Sequence, residues 1–145
     1  EVRRQVRKYD DIVIDAGGHD SAELRAGLLA ADVILMPAAP ALFDIAALST
    51  DNTLVAAARD FNPNLKAFLV INNASTHHQE TGTRDMREQL PTLTPNFVVL
   101  DAMLRRRATY DICKLGGIGV VEQSRTGAAG EEFNDMFMEL AEKLA

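Results

Sequence analysis

The run Asp11-Ile12-Val13-Ile14-Asp15, followed at once by Ala16-Gly17-Gly18, decides the reading of this chain. A short apolar run ends in a carboxylate and breaks into a glycine turn. The pattern predicts a buried strand over Ile12–Asp15, with Asp15 at its carboxyl end, where parallel α/β sheets bind ligands. A carboxylate in that place suits a magnesium ion beside nucleotide phosphates, and the glycines let backbone N–H groups approach a terminal phosphate. An aspartate that simply ends a strand and caps a turn accounts for the same residues. The G-x-x-x-x-G-K-[ST] loop expected before such a strand is absent from the 145 residues.

Strands and helices alternate from there. Asp20, with Glu23 three residues on, predicts a capping box for a helix carrying Leu24, Leu28 and Ala31 on one face, with Gly27 allowing close packing on the sheet. Asp32-Val-Ile-Leu-Met36 predicts a strand buried on both faces and stopped by Pro37. Asp44 is expected to cap a helix through Asp60. A third strand is expected over Leu65–Asn72, a loop over Asn73–Gly82, and a helix over Thr83–Leu90 closed by Pro91. Phe97–Leu100 predicts the fourth strand, and 105–115 a helix ending at Gly116-Gly117. An extended piece is expected at Gly119-Val120-Val121. Phe133, Met136, Phe137, Leu140 and Leu144 give the last helix an apolar stripe that packs on the sheet. This alternation predicts an α/β fold with a parallel sheet, its ligand loops following Asp15, Met36, Asn72 and Leu100.

Length and composition fit one soluble domain: 47% hydrophobic, 25% charged, net charge −6. The acidic balance argues against wholesale nucleic-acid binding, but Arg3, Arg4, Arg7 and Lys8 cluster at the start, and Arg105, Arg106 and Arg107 form a second basic run. The single Cys113 excludes an internal disulfide, points to a reducing, cytoplasmic setting, and reads as a buried apolar group. No eighteen-residue apolar stretch predicts a membrane span. The chain opens on Glu-Val-Arg-Arg with no initiating Met, so a longer protein is expected.

Other residues carry weaker signals. Asn72 and Asn73 end a strand, where an amide can read an adenine edge or simply form a turn. His77 and His78 share a polar loop with no cysteine near, and His19 lies beside the Asp15 turn without geometry for a base. Arg105–Arg107 can contact phosphates, but three consecutive helical residues point in three directions.

Taken in order, Tyr9-Asp10-Asp11-Ile-Val-Ile-Asp15, Leu28-Leu-Ala-Ala-Asp32-Val-Ile-Leu-Met-Pro37, Pro40-Ala-Leu-Phe-Asp44 and Val70-Ile-Asn-Asn73 resemble the ParA/MinD family of partition and positioning ATPases, closest to its ParA-like partition branch. The late segment from Ala102 to Gly119 is similar as well. The resemblance implies a P-loop NTPase-like three-layer sandwich with a mainly parallel sheet. Residues 1–145 would be the C-terminal two-thirds of one such domain, without its N-terminal P-loop strand. It further implies ATP and Mg2+ as cofactors, with Asp15 acting on the metal through water. Gly17 and Gly18 would belong to the γ-phosphate switch, and Asn72 or Asn73 would lie near adenine. Pro37, Pro40 and Asp44 would lie near a nucleotide-dependent homodimer interface. Arg105, Arg106 and Arg107 would contact non-specific DNA, and a ParB-like protein would stimulate hydrolysis.

Three departures stand against the family pattern. Gly17-Gly18 replace prolines, Ala41 replaces a serine, and the portion with the phosphate loop, its two lysines and the first switch aspartate is missing. In the family that missing strand is central. Its loss strips hydrogen bonds from its neighbours, so the chain alone is expected to be marginal in stability and not to hydrolyse ATP, with no catalytic residue of its own. The alternative is a ParA-fold binding or dimerisation module that has lost hydrolysis. A phosphoacceptor receiver is disfavoured because Leu100-Asp101 supplies no lysine. The acidic last helix favours DNA over membrane.

Overall fold

Phe68, Leu69, Val70 and Ile71 are all buried, and their alternation assigns the two sides of the molecule. A computed structural model describes residues 5–17, 20–40, 42–76 and 81–145, with 42–46 described in backbone only. Among the described residues the elements, in chain order, are α1 (Ala22–Ala30), β1 (Val33–Ala38), α2 (Leu42–Arg59), β2 (Lys66–Ala74), α3 (Thr81–Leu93), β3 (Val98–Arg105), α4 (Ala108–Gly116), α5 (Val120–Gln123) and α6 (Ala128–Leu144). The three strands form one parallel sheet, ordered β1-β2-β3.

Successive side chains of a strand point to opposite faces. Ala67, Leu69 and Ile71 therefore join Leu28, Leu48, Val55, Met86 and Leu90 of α1, α2 and α3 in the larger core. Phe68 and Val70 face the other way, onto Leu100 and Met136, with Phe133, Leu140 and Leu144 of α6 packed against them. Helices thus cover both faces, and the expected three-layer α/β sandwich with a parallel sheet is the fold observed.

The strand expected over Ile12–Asp15 does not form. Residues 11–17 carry no regular structure, and Val13 is 94% exposed. β1 is bonded to β2 on one side only, and no strand lies between its free edge and residues 11–17 among the described residues. Without a neighbour, a strand's backbone groups are better satisfied by water.

Smaller differences have local causes. Ser21, not Asp20, caps α1: its Oγ accepts from Leu24 N–H at 3.1 Å, while Asp20 pairs with Arg25 at 2.6 Å. The helix ends where Asn62 Nδ2 donates to the carbonyls of Leu28 (3.0 Å) and Ala31 (2.8 Å). Pro37 does not stop β1, which runs on to Ala38, because an edge strand tolerates a missing N–H. For the same reason β1 is half-buried, not sealed on both faces. Asp44 falls inside α2, which begins at Leu42, and is not its cap. Pro91 lies within α3, which continues to Leu93 at the cost of one backbone bond. β3 extends five residues past Leu100, and Val120–Gln123 is a helical turn instead of an extended piece. Cys113 is buried, as expected.

Candidate functional site

In a parallel sheet the loops after β1, β2 and β3 leave from one end, and these form the ligand-facing rim. β1 delivers Pro37, which is exposed, and the half-buried Pro40. The loop it starts lies against α3: a Cβ on Gly82 would come within 3.9 Å of the Pro40 carbonyl oxygen. Asp44 belongs to the first turn of α2, and its side chain lies outside the described residues. β2 delivers Asn72, half-buried, and Asn73, exposed with φ 56°. That left-handed conformation is one asparagine accepts more readily than most residues, and it falls where the pairing of β2 with β3 is irregular. Thr83, in the first turn of α3, buries its hydroxyl without a hydrogen-bond partner among the described residues.

β3 delivers the arginines, in a setting the sequence did not suggest. Arg105 is the last strand residue, Arg106 follows it, and Arg107 is the N-cap position of α4, so the three are not consecutive helical residues. Arg105 Nη1 reaches Glu132 Oε1 at 2.8 Å. Arg107 grips the same carboxylate in a fork, with Nη2 to Oε1 at 2.6 Å and Nε to Oε2 at 3.1 Å. The Arg105 backbone N–H donates to Glu132 Oε2 at 3.1 Å. Burial pushes Glu132 up, but the guanidiniums of Arg107 and Arg105 and the Arg105 N–H outweigh it and hold the carboxyl at about 2. Arg107 is raised by the same hydrogen bond. Arg106 alone of the three is exposed.

Glu139, two turns further along α6, holds the middle of β3. Its Oε1 accepts from Asp101 N–H and its Oε2 from Ala102 N–H, both at 2.8 Å. Burial raises its pKa, and the Ala102 and Asp101 N–H groups and Lys143 outweigh that and leave it lowered. The acidic last helix thus turns two carboxylates inward. Glu132 and Glu139 stand seven residues apart within the stripe of Phe133, Met136 and Leu140, and that spacing was the available signal.

Asp15 and Gly17 lie in exposed backbone outside the sheet; Gly18, His19, His77 and His78 lie outside the described residues. No three His, Cys, Asp or Glu side chains converge on a metal-holding group among the described residues. One carboxylate with phosphate oxygens suffices for magnesium in many nucleotide sites. Here, though, the sequence holds no phosphate loop, so this chain's residues do not by themselves fit ATP with its metal.

The fold and rim define a three-layer α/β protein with a parallel sheet. No family model matches the chain. It is 31% identical over 134 residues to Maintenance of carboxysome distribution protein A of Halothiobacillus neapolitanus (strain ATCC 23641 / c2), an alignment that takes in 91% of this chain and 60% of that protein. The chain therefore spans about three fifths of the curated relative it matches, and it is a distant homologue of a protein named for maintaining carboxysome distribution. Among the described residues no helix is long and apolar enough to cross a membrane.

Proposed function

We propose that this chain is most of a ParA-like positioning ATPase, whose phosphate-binding loop is supplied by polypeptide outside these 145 residues. The observation that carries the reading is the likeness, along 91% of the chain, to a protein named for maintaining carboxysome distribution. The motif order from Tyr9 to Asn73 supports it, and so does the rim that gathers Pro37, Pro40, Asn72 and Arg105–Arg107. The free edge of β1 and the exposed run Ile12–Ile14 are what a sheet lacking one inner strand would present.

In the intact protein ATP and magnesium would bind at this rim, beside Asp15, Gly17 and Gly18, with Asn72 or Asn73 near the base. ATP would bring two copies together across Pro37–Asp44. The dimer would hold DNA without sequence preference through Arg105–Arg107, and a partner protein would reset it by stimulating hydrolysis.

Co-sedimentation of the complete reading-frame product with DNA and with anionic vesicles tests the surface. Retention on DNA that requires ATP and falls steeply between 50 and 200 mM salt, in the manner of phosphate contacts, is the expected result. Binding to vesicles alone, or DNA binding indifferent to salt and nucleotide, would contradict it.

A further inference from the structure

The register of β3 on β2 changes in mid-strand. Leu69 faces Val99, but two residues later Ile71 faces Met103, so β3 spends four residues where β2 spends two. β2 then spends three residues, Ile71 to Ala74, where β3 spends two, so Ala74 stands opposite Arg105 and the net gain of β3 is one residue. The extra length is a bulge at Leu100, Asp101 and Ala102. Such bulges re-aim the residues that follow and are common beside functional sites.

Both sides of this bulge are held by side chains. Glu139 takes the N–H groups of Asp101 and Ala102. Arg87 of α3 takes the carbonyls: Nη2 donates to Asp101 O at 2.5 Å and to Leu100 O at 3.5 Å, and Nη1 reaches the Asp101 carboxylate at 3.1 Å. The Leu100 side chain is fully buried against the α6 layer. A carboxylate from one covering layer and a guanidinium from the other therefore satisfy a stretch of strand that the sheet cannot.

The consequence lies at the rim. Without the two residues that β3 gains here, and with the irregularity of β2 kept, Met103 would stand opposite Ala74, and Arg105, Arg106 and Arg107 would lie two residues further along, beyond the end of that pairing. With the bulge, Arg105 takes that place, Arg106 N–H donates to Ala74 O at 2.8 Å, and Glu132 meets Arg105 and Arg107. We propose that Glu139 and Arg87 are positioning residues: by holding the bulge they set Arg105, Arg106 and Arg107 on the rim in the arrangement that meets a phosphate-bearing polymer. The polymer rests on the DNA reading above; the positioning does not.

The test combines residue-resolved amide exchange with DNA affinity, on Glu139→Gln, Arg87→Lys and Arg106→Ala in the complete reading-frame product. In Glu139→Gln the carboxamide sets a donor against a donor. Exchange should quicken about tenfold at Asp101, Ala102, Arg105 and Arg106, with Leu69 and Val70 unchanged, and DNA affinity should fall about tenfold. Arg87→Lys keeps the charge, loses the fork, and should show the same pattern more weakly. Arg106→Ala should weaken DNA binding and lower the salt slope by about one, with exchange unaltered. Quickening confined to Asp101 and Ala102, with Arg105 and Arg106 as protected as before, would overturn the positioning role. If the rim exchanges as expected while no variant, Arg106→Ala included, changes DNA binding, the positioning stands and the DNA reading fails.

Discussion

Glu132 is the residue on which two elements meet. One carboxylate accepts two arginine side chains and a backbone N–H, with its side chain only 11% exposed. Removing it leaves two half-buried guanidiniums without their anion, a loss of about 1–3 kcal/mol. Because its folded pKa, about 2, lies below the ordinary 4.5, its stabilisation is complete above pH 4.5 and drains away as pH falls toward 2. Urea unfolding across that range should show the wild-type stability dropping more steeply with acid than that of Glu132→Gln. Parallel acid limbs would mean that Glu132 carries no such linkage. The basic run at 105–107 was legible as a cluster, but its pairing was not. A bond between residues 25 and 27 positions apart leaves no trace in local spacing, and only the inward Glu132–Glu139 period hinted at it.

At the scale of elements, what the sequence states locally was readable, and what depends on a neighbour was not. β2 was legible because Phe68–Ile71 must be buried wherever they sit. The Ile12–Asp15 run looks the same on paper, yet a strand exists only with a partner, and among the described residues none pairs with it. Pro37 and Pro91 were overread as stops: an edge strand and the last turn of a helix can each spare one N–H. Two glycines divide along the same line. A Cβ on Gly27 would meet nothing within 4 Å, so the close packing expected of it is absent; a Cβ on Gly130 would lie 2.1 Å from the Ser124 carbonyl oxygen. Gly27→Ala should therefore raise the melting temperature, by the worth of about 0.5–1 kcal/mol in helix propensity. Gly130→Ala should lower it, by about 1–3 kcal/mol of forced shift where α6 meets the turn after α5. The opposite order of melting temperatures would show that the packing of these two helices is misassigned.

The described residues form a three-layer sandwich whose sheet ends at β1, bonded on one side only. Its second layer rests on α6, whose carboxylates service the outer strand β3 at the sheet's other edge. Among the described residues β1 pairs with β2 alone, and the apolar run Ile12–Ile14 is exposed. The order of motifs made the fold class legible from the sequence. The site was legible only in part: Asn72, Asn73 and the 105–107 run could be read as following strands, whereas the pairing of Arg105 and Arg107 with Glu132 joins distant segments and leaves no local signal. In the proposed function, Asp15 would become a metal-bearing carboxylate once a phosphate loop stands beside it. Magnesium-dependent ATP turnover by the complete reading-frame product, set beside its Asp15→Asn variant and the 145-residue chain, tests that most directly. Turnover by the first, lost in the other two, is the predicted result. Turnover that survives Asp15→Asn, or that the 145 residues sustain alone, would contradict it.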